Sequence, residues 1–318
     1  MRKLLKYWQN NKQKILITVG VIVFVFICIQ VANGIVKQQN KNENSNVQNA
    51  PPIAQDITKP EEPILTQKPL NEIEKEQNSQ IIANFVKLCN EKNVEQAYEL
   101  LSNGCKEEIY YNIDIFKNNY ISTIFSTEKE YSLELWATFN NTTTYQITYY
   151  EGNLLQTGGI ISEGNFVDYI TIVEENSMLK LNIGKLICKE IKNKVAENCG
   201  IQVTVQTRSV YMGYEIYRIT VKNNTKNTIL LNDGTAKNIV LLDENDNEYA
   251  SLVYEIASNT LILEPGYQKT FDLKFNKMYN ANSQIRYMEI RDIYLNKEQY
   301  DSMQNKEELE KTTIQIKL

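Results

Sequence analysis

The chain contains no histidine. That excludes Ser-His-Asp and Cys-His triads, His-ligated zinc and any imidazole acid/base chemistry. Its 5 cysteines form no C-x-x-C, so neither a zinc knuckle nor a dithiol redox motif is supported. The Cys-Trp-Cys core of antibody-type domains is absent. Ser209 and Lys222 are not spaced as a Ser-x-x-Lys pair. Proline is scarce and uneven: five of 6 fall before residue 70, at Pro51, Pro52, Pro60, Pro63 and Pro69. Clustered basic residues are missing too. The formal charge is -5, and Arg2, Lys3, Lys6, Lys12 and Lys14 crowd the start without an acid. The rest is therefore more acidic still, which argues against a grip on a nucleic-acid backbone.

What is present is first an uncharged stretch, ILITVGVIVFVFICIQVANGIV, from Ile15 to Val36. At about 1.5 Å per residue, a helix of that length crosses a hydrocarbon core of roughly 30 Å. A cleavable signal peptide would have a shorter apolar region, and Phe26-Ile27 does not suit lipidation at Cys28. The expectation is a retained transmembrane helix at 15–36, with a cytoplasmic tail at 1–14 and the bulk of the chain outside the cell membrane. Residues 37–70, rich in Asn, Gln and Pro, read as a disordered stalk.

Helical spacing follows over Glu72–Cys89. Asn93 as N-cap and Gly104 as a C-terminal stop bracket a second helix, and a third segment runs to Phe125. The period then turns to two. Strands are expected at Tyr131–Phe139, Thr143–Tyr150, Leu154–Ile161, Phe166–Glu174 and Ser177–Ile183. Leu186–Cys199 reads as a short helix or connector, and pure strand and turn pattern follows from Ile201. Turn clusters at Asn223-Asn224, Asn232–Gly234, Asp243–Asn247 and Pro265-Gly266 suggest a sandwich of about seven strands. Lys297–Glu310 reads as a solvated helix, and Ile314, Ile316 and Leu318 as a last edge strand.

Two resemblances add to this. NVEQAYELLSNGCKEEIYYNIDIFKNNYISTIF, with Ala97, Tyr98, Leu101 and Phe116, resembles the nuclear-transport-factor-two-like superfamily, in the version found in Gram-positive penicillin-binding transpeptidases. Val221, Asn223 or Asn224, Thr225, Asp243, Tyr249, Pro265 and Gly266 resemble telokin-like, immunoglobulin-like extracytoplasmic domains of unknown function. With the uncharged stretch and the helix-then-strand pattern, they give the expected α+β fold class: an N-terminal transmembrane helix, a cone-shaped α+β domain at 71–185 with helices on an antiparallel sheet, and an all-β immunoglobulin-like sandwich at 186–318.

Candidate chemistry is sparse. The enzymes of the cone fold place acids or tyrosines in the cavity. Asp168 and Tyr169 are the candidates here, on opposite faces of one strand, and the expectation is a surface Asp beside a core Tyr. Asp243, Asn245 and Asn247 alternate like calcium ligands, but Glu248 stands where a calcium loop wants Gly, so a hairpin turn is expected. Cys188 with Cys199, or Cys89 with Cys105, could bridge outside the cell, and free buried thiols are the expectation. No catalytic, cofactor or metal residue is assigned. The reading is a non-enzymatic, membrane-anchored binding or scaffold protein of the bacterial envelope. Its partners are the membrane, through a single span, and envelope proteins or cell-wall components, with no nucleic acid. The alternative is an assembly component of a conjugation or type IV secretion channel.

Overall fold

A computed structural model describes residues 70–139, 142–151 and 165–318, all of which belong to one compact unit. The tail 1–14, the stretch 15–36, the stalk to residue 69 and the expected strand Leu154–Ile161 lie outside the described residues.

Helix α1 (Glu72–Asn90) opens with a capping box. The Asn71 side chain accepts from the Glu74 backbone N–H, and Glu74 reaches back to the Asn71 N–H. Its Ile82, Phe85, Val86 and Cys89 stripe is buried. Asn93 caps α2 (Val94–Glu99), and Ser102 caps α3 (Asn103–Glu108). Gly104 is therefore inside α3 and stops nothing. α4 (Ile113–Phe116) runs through a π-helical turn at Lys117–Ile121 into α5 (Ser122–Ile124). That extra residue per turn places Tyr120 and Ile121 in the core.

These helices cover one face of an antiparallel meander, β1 (Glu130–Phe139), β2 (Thr142–Tyr150), β3 (Phe166–Glu175) and β4 (Met178–Asn182), in that spatial order. Asn176 and Ser177, both at positive φ, make the two-residue turn between β3 and β4.

The chain then enters β5 (Leu186–Asn198), the longest strand described, where a helix or connector was expected. Cys199 and Gly200, at φ 50° and 77°, turn it back into β6 (Ile201–Tyr211). Two left-handed residues in a two-residue loop match the strand twist, and they lock this hairpin's register. β7 (Glu215–Asn223) pairs with β6, and β12 (Gln268–Phe275) with β7. Facing this sheet is a second one built from β8 (Ile229–Leu230), β9 (Ile239–Asp243), β10 (Glu248–Ala250), β11 (Ile262–Leu263), β13 (Ile285–Tyr294) and β14 (Lys311–Lys317). A short α6 (Lys297–Ser302) precedes β14.

The hairpin β5–β6 serves two cores. Leu186 and Tyr211, at its base, pack with the helices and first sheet. Ile201, Val203 and Val205, at its other end, pack with Ile219, Leu241, Met288 and Ile314 between the two facing sheets. Trp136 of β1 joins Ile187, Val210, Met212 and Tyr279 where the two meet.

The expected fold class is thereby corrected. The described chain is mostly β, with fourteen strands and only one helix longer than six residues. Among the described residues no helix is long and apolar enough to cross a membrane. The physical reason for the largest local error is pairing. Lys189, Lys192 and Lys194 interrupt any alternation in β5, yet ten of its 13 residues find a partner on β6, with bulges at Ile187 and at Lys192-Asn193 absorbing the misfit.

Candidate functional site

Alternation along β3 decides the fate of the two sequence candidates. Asp168, Ile170 and Ile172 point to the helices, while Tyr169, Thr171 and Val173 point away. Asp168 is 1% exposed, so the expected surface Asp is overturned, while Tyr169 is half-buried and packs edge-on against Trp136.

Asp168 is held by four donors. Oδ1 accepts from the Tyr169 and Lys185 amides at 2.8 and 3.0 Å. Oδ2 accepts from the Gly184 amide at 3.0 Å and the Tyr120 hydroxyl at 3.3 Å. Gly184 and Lys185 both have positive φ, and this carboxylate fastens the strained turn that launches β5. Burial raises the Asp168 pKa, and the four donors pull it part of the way back. Around it Tyr110, Phe116, Tyr120, Phe125 and Tyr149 fill the space between helices and sheet ring against ring. Tyr120 and Tyr149 share a hydroxyl–hydroxyl bond of 3.0 Å.

Asp243 likewise closes a turn. It accepts from the Asn245 and Asn247 amides, the Asn247 side chain, the Tyr249 hydroxyl and the Ser283 hydroxyl. Burial opposes its charge, but these donors win and lower its pKa to about 2. Asn245 and Asn247 donate rather than present oxygens to a common point. Among the described residues no three acids or thiols gather as a metal site. Cys89, Cys105, Cys188 and Cys199 are free. Cys188 and Cys199 stand at opposite ends of an extended strand, far beyond the roughly 7 Å limit for a disulfide. Ser209 is buried in β6, across the strand pair from Lys189 and Ile216.

The site that the structure does assemble lies on the other face of the first sheet. A cleft of about 450 Å³ opens between β3, the base of the β5–β6 hairpin and the loop after β12. Phe139, Ile187, Val210 and Tyr279 give it an apolar wall, and Cys188, Arg208 and Lys277 line it as well. Burial pushes the Cys188 thiol up to about 12, so it is not a thiolate nucleophile at neutral pH.

At its base is a buried charge cluster. Glu215 is fully buried. Arg208 grips it two-handed, Nε to Oε2 at 2.8 Å and Nη2 to Oε1 at 2.9 Å. Lys277 Nζ lies 3.2 Å from Oε1, and the Tyr217 hydroxyl donates to Oε2 at 2.8 Å. Arg208 Nη1 also reaches Glu190, at 3.3 Å, and Glu190 pairs with Lys192 at 2.8 Å. Burial opposes the Glu215 charge, but Arg208 first and then Lys277 and Tyr217 hold its pKa below the usual carboxylate range. Burial opposes Arg208 too, and Tyr217 and Glu215 more than offset it.

Sequence reasoning missed this cluster. A signal was present: Glu215 stands in phase with Tyr217, Ile219 and Val221, a charge on the apolar face of an alternating strand. Lys277 had none, because it comes from an irregular segment that only the tertiary fold brings to β7.

No protein family and no curated protein matches the chain. A crystal structure of a conserved hypothetical protein from Bacillus anthracis is similar to part of it. That match covers 36% of this chain and 85% of the other, at 20% identity and a TM-score of 0.23. So distant a likeness carries no argument about fold or function.

Proposed function

We propose that the protein is a non-enzymatic binding or scaffold protein of the bacterial envelope. It is held at the membrane by the uncharged stretch 15–36, with residues 1–14 inside and the bulk outside. The observation that supports this best is the saturation of its buried acids. Asp168 and Glu215 each hold four donors, and both serve to fasten backbone or partner cations. General acid/base work needs a group that reaches substrate and changes protonation near the working pH. Contact needs only a shaped, preorganised surface, and the cleft beside the shared hairpin offers one.

The test is a photo-crosslinking residue placed at Gln284, on the cleft rim, in cells. The expected product is a discrete adduct with an envelope component, together with digestion of the bulk of the chain by protease added to wall-stripped cells. Full protection from protease, or adducts confined to cytoplasmic proteins, would refute the proposal.

A further inference from the structure

The edge of a sheet exposes backbone donors and acceptors, which a folded chain covers or guards. The first sheet is covered on one side. Along β4 the chain lays Leu100–Ser102: the Leu181 N–H donates to the Leu100 carbonyl and the Ser102 N–H to the Leu181 carbonyl, both at 2.9 Å. β12 is met by Leu252, whose N–H donates to the Lys274 carbonyl at 2.8 Å. β5 carries Lys189, Lys192 and Lys194 and two bulges. β1 differs. Asn90 binds both backbone groups of Lys129, just ahead of the strand, at 2.9 Å each. From Glu130 to Leu135, β2 is its only ladder partner among the described residues. This segment, EYSLEL, has no proline, glycine, lysine or bulge to guard it. Its Tyr131 carbonyl takes the Tyr150 hydroxyl at 3.2 Å and keeps a second lone pair. Tyr131, Leu133 and Leu135 face the helices and stay only half-buried. Glu130, Ser132 and Glu134 are exposed on the other face, and neither glutamate is ion-paired among the described residues.

We propose that this edge takes up an extended peptide as a fifth strand of the first sheet, with lysine or arginine opposite Glu130 and Glu134 and apolar residues opposite Tyr131, Leu133 and Leu135. None of these residues lines the cleft, so the inference goes beyond the binding reading above and does not rest on it. In such strand addition the main-chain bonds supply affinity and the alternate side chains select the partner. Opposite charges across a strand pair attract, and like charges repel. The same rule disfavours a second copy: two β1 edges paired antiparallel about Ser132 set Glu130 opposite Glu134 twice. The four-residue spacing of the acids matches two lysines four apart in either strand direction.

The test is calorimetric titration of the detergent-solubilised full chain with the acetylated, amidated peptide VKVTVK and with its counterpart VEVTVE. The lysine peptide should saturate one site, and the glutamate peptide should bind at least about tenfold more weakly. Two forms of the lysine peptide, N-methylated on alternate amides in opposite phases, isolate the backbone bonds. One phase should bind about as the parent does and the other should fail. Glu130→Lys combined with Glu134→Lys, both at exposed positions, should reverse the preference between the peptides. No saturable binding, equal binding of the two peptides, an unreversed preference, or equal binding of both methylated forms would overturn the assignment. So would a dimer in sedimentation that the charge reversal dissociates, since a second copy would then hold the edge. The crosslink at Gln284 reports on the cleft, so its outcome is separate from this one.

Discussion

Replacing Glu215 with Gln tests the electrostatic heart of the fold. The side chain is fully buried, and its two oxygens take four donors, three of them from Arg208 and Lys277. Gln keeps the shape and one acceptor. It removes the charge and turns an NH2 group toward donors. Arg208 and Lys277, with side chains 12% and 3% exposed, are then buried without their counter-charge. Breaking a buried pair from one side costs about 3–5 kcal/mol. Against a total stability of about 5–15 kcal/mol this is a large fraction. For a unit of this size it lowers Tm by roughly 6–20 °C.

The pH dependence gives a second check. Glu215 has a folded-state pKa lowered from 4.5. Its contribution is therefore fully present above that unfolded value and is lost as pH falls through the lower folded value. The gap in Tm between the parent and Glu215→Gln should be widest near neutrality and close in acid. Replacing Arg208, Glu215 and Lys277 together by apolar residues should cost less than the single change, because no charge is then stranded. Thermal melts by circular dichroism from neutral to acid pH measure all of this. A Glu215→Gln variant that melts within about 2 °C of the parent at neutral pH would refute the reasoning, since the estimate rests on that stranded charge.

Three further outcomes are expected. Trp136→Ala should cost about 3–5 kcal/mol in denaturant unfolding, since the ring is buried where the first sheet meets the β5–β6 hairpin. Trp136→Phe should cost far less, because the indole N–H is buried without an acceptor, and equal losses would contradict that packing. Asp168→Asn should destabilise by about 1–3 kcal/mol, because the amide nitrogen replaces an oxygen that accepts from one pair of its four donors. The folded pKa of Asp168 is raised, so its favourable term is present below the unfolded pKa and lost as pH rises through the folded one. Melts should therefore show the parent losing that term with rising pH while the Asn variant does not, and parallel pH profiles would argue against a buried Asp168. Among Cys89, Cys105, Cys188 and Cys199, a maleimide should label only the exposed Cys199 in the native protein. Burial raises the other three thiols, and mass spectrometry finding Cys188 labelled at a similar rate would contradict the raised pKa of that thiol.

Much of the local structure was legible from residue pattern. The helical stripe Ile82, Phe85, Val86 and Cys89 is visible as spacing, as is the Asn93 cap of the following helix. The alternation in VTV and ITV marks β6 and β7, because a half-buried strand must put every second side chain on the core. Asn, Gly and Asp clusters marked turns, since those residues tolerate left-handed backbone or bond their own amides. The lack of histidine removed whole classes of chemistry before any fold was known. Tertiary structure decided the rest, because each missed feature depends on a partner distant in the chain. β5 is a strand because β6 pairs with it, against its own weak alternation. Asp168 is buried because Gly184, Lys185 and Tyr120 arrive to satisfy it. The cleft and its cluster exist because Lys277 meets Glu215, 62 residues earlier, and because one hairpin serves two cores. Residue pattern encodes which face of an element is apolar. Which charges come to share an oxygen is set only when the elements pack.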